Sequence, residues 1–160
     1  MKLLSLLLAL VPLISYAHPP ATFQALSMLF IEEVLGAEEQ ACSARAPLEG
    51  KKLAAALTQW RKQNRGALDQ LQGVSADLER KAYGRLLRPA TRGDTEAGVS
   101  MLLQLSSAKT ADAGAILTAF AMFNDTQAQG MCAEYAAQAL SDGWLRSEIT
   151  DAMKVVESLP

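Results

Sequence analysis

The chain has 160 residues, two cysteines, one histidine and a formal net charge of −2. That length suits one domain with a hydrophobic core of its own, and a slightly acidic balance argues against nucleic acid as a partner. The single histidine, His18, lies near the N terminus, which leaves no interior histidine for Ser-His-Asp or Cys-His catalysis.

The first seventeen residues have the make-up of a bacterial secretory signal. Lys2 supplies a basic start, Leu3 to Ile14 an apolar core, and Ser15-Tyr16-Ala17 a small-residue cleavage site. The expectation is a signal peptide over 1–17 and a single helical domain over 18–160, periplasmic or secreted. The apolar run is interrupted by Pro12 and falls short of the roughly 20 residues that a membrane span needs. With His18 and not a cysteine directly after the cleavage site, a lipid anchor is not expected either. No transmembrane segment is expected after cleavage, and the mature chain carries a net charge of −3, because cleavage removes Lys2 and no acid.

Beyond the signal, apolar residues recur at three- and four-residue steps and alternating β-branched runs are absent, so the chain reads as all-α. A first helix is expected from near Pro20 to Gly36, with Phe23, Leu26, Phe30 and Val34 on one stripe. A short helix over Ala37 to Ala44 carries Cys42. Pro47 then opens a long helix to Leu71 on a stripe of Leu53, Leu57, Trp60, Asn64, Leu68 and Leu71, ended by Gly73. Gly50 and Gly66 mark possible sites of a bend or a close helix contact.

Ser75 or Asp77 is placed to cap a helix to Leu87, and Pro89 terminates it. The loop Pro89-Ala90-Thr91-Arg92-Gly93 precedes a helix capped by Asp94 or Thr95 and running to Leu105. A further helix from Thr110 or Asp112 is apolar all round at Ile116 to Phe123, which implies burial. After Asn124-Asp125-Thr126 come a helix from Gln127 to Leu140 bearing Cys132, closed by Gly143, and a last helix from Ser147 to Ser158. The result is a bundle of six to seven helices.

In an oxidising compartment two cysteines in one small domain favour pairing, so a Cys42 to Cys132 disulfide is expected to staple the bundle. A catalytic thiol pair would more typically be Cys-X-X-Cys, which is absent. Exposed as an N-terminal residue, His18 offers an amine and an imidazole to copper, but a histidine brace needs a second histidine and none exists. No metal site and no cofactor are expected. Glu32 with Glu33 and Glu38 with Glu39 are adjacent on a helix and point about 100° apart, which does not make an acid/base pair.

Charge is segregated. Arg45 to Arg92 holds eleven basic and four acidic residues, Gly93 to Pro160 three basic and nine acidic. The spacings of Arg61 and Arg65, and of Lys81, Arg85, Arg88 and Arg92, make basic helix faces. These faces either pair with acidic helices inside the bundle or form an interaction face for a protein or other anionic component of the envelope.

Trp60 and Asn64 lie one turn apart on one face, so an inward Asn64 needs a hydrogen-bond partner such as a helix end, or orients a ligand. The stretch Cys42-Ser43-Ala44-Arg45-Ala46-Pro47, followed by Leu57, Trp60 and Asn64, resembles a pattern of small exported proteobacterial helical proteins: Cys, a Pro five residues on, then Trp-X-X-X-Asn. That resemblance implies an exported helical domain whose early cysteine pairs with a late one, and it carries no activity and no catalytic residue.

Together these features favour a non-enzymatic periplasmic binding or interaction protein, of inhibitor or immunity type. The alternative is a carrier of an apolar small molecule or lipid in a cavity near Phe120, Met122 and Phe123. An enzyme working through carboxylates such as Glu32 or Glu39 is a third reading, and the oligomeric state is left open.

Overall fold

A computed structural model describes residues 21–159. The signal segment and His18 lie outside the described residues. The described chain is entirely helical, with no strand, and forms α1 (Ala21–Met28), α2 (Ile31–Arg45), α3 (Pro47–Gln63), α4 (Arg65–Leu87), α5 (Arg92–Met122), α6 (Asp125–Ala139) and α7 (Arg146–Glu157).

Most of these helices build one body. There α3 packs against α2 and α6, α5 packs against α2, and α1 lies against α7 and α5. Its centre holds Trp60, Leu26, Leu35, Leu53 and Leu57 beside the two cysteines, all fully buried. The Cys42–Cys132 disulfide joins α2 to α6 across a sequence separation of 90 residues, with Cα atoms 5.7 Å apart. The expected all-α, disulfide-stapled bundle is therefore the architecture of the chain.

The element boundaries differ from the expected ones in instructive places. The break in the N-terminal segment falls at Leu29-Phe30, not at Gly36, and α2 runs through Gly36 to Arg45. Pro47 stands at the first turn of α3 as expected, but that helix stops at Asn64, whose backbone N–H and side-chain amide both donate to the Trp60 carbonyl. The next helix then passes straight through Gly73, Ser75 and Asp77. Likewise α5 is one helix of 31 residues with no interruption between Leu105 and Thr110. Gly143 does not close α6, which ends at Ala139. It lies in the following turn with φ +72°, near Leu145 at φ 59°.

Two of the helix starts rest on capping boxes. Thr91 caps α5 with Asp94 returning the bond, and Asn124 caps α6 with Gln127 doing the same. The Asp94 carboxylate accepts from the backbone N–H groups of Ala90 and Thr91 and from the Thr91 hydroxyl. Those bonds, the Thr91 backbone one foremost, hold it below the usual carboxylate range.

Close approach explains one of the two glycines singled out in the sequence. A Cβ on Gly50 would lie 2.8 Å from the Cys42 backbone, so α3 turns back tightly on the end of α2 next to the disulfide. Gly66, the other glycine singled out in the sequence, has nothing within 4 Å of its Cβ direction.

Candidate interaction surface

The contacts of α4 fall mainly on α5, with only slight contact to α3. Four residues, 88–91, join the two helices, so α4 and the first half of α5 form an antiparallel two-helix arm. Ala82, Leu78 and Leu71 of α4 and Gly98 and Leu105 of α5 supply its buried seam. A pair of helices has too few sides to cover all its apolar residues. Leu87 is 79% exposed, Leu103 63% and Tyr83 53%, with Val99 also exposed. Tyr83, Leu86, Val99, Leu102, Leu103 and Leu105 line an open groove along the arm, edged by Glu79 and Lys109.

The basic residues singled out from the sequence separate into two groups. Arg61 belongs to the body: its Nε donates to Glu32 at 2.9 Å and its Nη1 to Glu39 at 3.2 Å, tying α3 to α2. Arg65 starts α4 and stands 4.0 Å from Asp69. Neither joins the others. Lys81, Arg85 and Arg88 line a second groove with Gly84, Ala90 and Asp94 at the tip of the arm, and Arg92 stands at the start of α5, 3.4 Å from Glu96. Arg80 and Lys81 both reach Asp77. The sequence reading offered internal pairing or a surface face for these charges, and both arrangements occur. Arg61, Arg45 with Asp125 at 3.5 Å and Lys109 with Glu33 at 3.6 Å pair between helices, while the cations of residues 80–92 gather at the arm tip.

Trp60 and Asn64 have structural surroundings. The Trp60 indole N–H donates to the Trp144 carbonyl at 3.2 Å and its ring meets Trp144 edge-on at 5.4 Å. Asn64 closes α3. Of the residues proposed to line a carrier cavity, Phe120 is buried with its ring 5.2 Å from Phe123 and 6.2 Å from Tyr135, and Met122 is exposed. The aromatic rings fill that region against one another.

Two features were not singled out in the sequence. One is the apolar side of the arm, because the spacing of Tyr83, Leu87, Val99 and Leu103 looks the same whether or not another helix covers it. The other is the burial of Glu38, noted in the sequence only as a neighbour of Glu39: it is 6% exposed and its Oε2 has no hydrogen-bond partner. Burial pushes its carboxyl up to about 7. Desolvation first, then the carboxylates of Glu38 and Glu134, hold the buried Tyr135 phenol above its ordinary range.

Among the described residues no group of three or more His, Cys, Asp or Glu side chains could hold a metal ion, and no helix is long and apolar enough to cross a membrane. A scan against protein-family models and searches of curated proteins and of solved structures return no match to this chain.

Proposed function

We propose that this chain is a non-enzymatic exported interaction protein, of inhibitor or immunity type, which presents the α4/α5 arm to a protein or other anionic component of the envelope. The observation that carries this reading is the arm itself. It leaves Tyr83, Val99 and Leu103 exposed along one groove and Leu87 exposed at its end, where basic side chains gather, and exposed apolar residues rimmed by charge are characteristic of binding surfaces. An interhelical disulfide is compatible with an oxidising compartment. The carrier reading has less support, since Phe120 and Phe123 pack on each other.

Capture from envelope extract by the oxidised chain, washed at low and then moderate salt, tests the proposal. The expected result is a component retained in stoichiometric amount, released by salt, and lost when Leu87→Asp is combined with Leu103→Asp. Retention by that arm variant at wild-type level would remove the arm from the reading.

A further inference from the structure

We infer that the tip of the arm is a contact site for an anionic lipid surface. The inference rests on the arm being the interaction surface and narrows its partner to a bilayer. The thirteen residues from Arg80 to Arg92 carry five basic side chains and no acid, in a chain that is acidic as a whole. Asp77 and Glu79 precede this run and Asp94 and Glu96 follow it: Asp77 pairs with Arg80 and Lys81, Asp94 is engaged by the cap of α5, Glu96 stands beside Arg92, and residues 77–96 keep an excess of one positive charge, five basic against four acidic.

The apolar residues at the same end have the matching arrangement. Leu87, Pro89 and Ala90 are all exposed at the turn, so the apex is apolar apart from Arg88, which stands between them. About 100° of rotation per residue places Tyr83 and Leu87 on one arc of α4, with Arg80, Arg88 and Lys81 on the next. An apolar apex ringed by long cationic side chains and a tyrosine fits the boundary between headgroups and acyl chains. Leucine enters the apolar layer there, tyrosine sits at the headgroup level, and Lys and Arg reach back to the phosphates.

Flotation of the oxidised chain with vesicles tests this directly, using phosphatidylcholine alone and phosphatidylcholine mixed with phosphatidylglycerol. The chain should float with the anionic vesicles, stay behind with the neutral ones, and be released by moderate salt. Arg85→Glu with Arg88→Glu should lower partitioning by about tenfold or more, and Leu87→Gln should lower it with the net charge unchanged. Lys51→Glu with Lys62→Glu, the same charge change on the body, should have little effect, and circular dichroism of each variant shows whether it is folded. Failure to float with anionic vesicles, equal flotation with neutral ones, or an equal loss in the body variant would overturn the inference. If flotation fails while envelope capture still depends on Leu87 and Leu103, the lipid inference falls and the arm keeps its role. If both fail, the reading of the arm falls with it.

Discussion

A Cβ placed on Gly98 of α5 would lie 2.8 Å from the Ala82 carbonyl oxygen of α4 and 3.1 Å from Leu86 Cγ. The two helices of the arm therefore meet with backbone against side chainless backbone, and any larger residue at Gly98 pushes them apart. Gly98→Val should destabilise the arm by about 2 kcal/mol while leaving the body intact. Hydrogen exchange resolved by segment checks this: protection should drop over 65–105 and persist over α2, α3 and α6. A uniform loss of protection would mean that the arm and body unfold as one unit.

The disulfide crosses 90 residues, a span for which loop-closure entropy gives about 4 to 5 kcal/mol as an upper guide. Cys42→Ser with Cys132→Ser should move the urea midpoint down accordingly. Thiol titration of the denatured, unreduced wild type should find no free thiol. Two free thiols, or equal midpoints, would contradict the staple.

Glu38 makes stability depend on pH with a defined sign. Below about 4.5 the carboxyl is protonated in the folded and the unfolded chain. Between about 4.5 and about 7 only the unfolded chain releases the proton, so this group's contribution falls as pH rises, and above about 7 the loss is complete. Glu38→Gln is neutral throughout. Its unfolding free energy should gain on the wild type by about 3 kcal/mol between the acid and the alkaline side of that window. Urea unfolding of both proteins at matched pH values measures the difference, and a pH-independent gap would show that Glu38 titrates normally.

Arg45 closes the C-terminal end of α5. Its Nη1 donates to the Phe120 carbonyl at 2.9 Å, its Nη2 to the Phe123 carbonyl at 2.6 Å, and it pairs with Asp125 at the start of α6. Cations are favoured at a helix C-terminus, and here one planar group serves two carbonyls. Arg45→Met should cost about 2 kcal/mol of stability, and Arg45→Lys should recover only part of it, since an ammonium lacks the fork. Full recovery by lysine in thermal unfolding would show that charge alone matters.

The helical class, the staple and the ends marked by proline were legible in the sequence because each has a local cause. Pro47 and Pro89 restrict the backbone wherever they stand, and cysteine pairing was expected from there being two cysteines behind a secretory-type leader. Gly36 and Gly73 misled because glycine lowers helix propensity without forbidding the helix, and packing decided against it. The break at Asn64 carried no breaker residue. The continuity of α5 follows from the alanines of 106–115, where no proline intervenes. Among the candidate site residues, Lys81, Arg85 and Arg88 came together because they lie at the end of one helix and in the turn that follows it, and Arg92 opens the next helix. Arg61 went elsewhere because its partners, Glu32 and Glu39, are on a different helix, a fact of tertiary structure. Glu38 looked like its neighbour Glu39, which is half-buried and paired with Arg61, for the same reason.

The unbroken α5 settles how the arm can move. One of its two sides begins at the interruption at Asn64, but the other is a single helix, about 46 Å long at 1.5 Å per residue, with Phe120 seated in the core at one end. A hinge would need a break on both sides. The beam that carries Val99 and Leu103 therefore continues without a break into the packing of Phe120 against Tyr135.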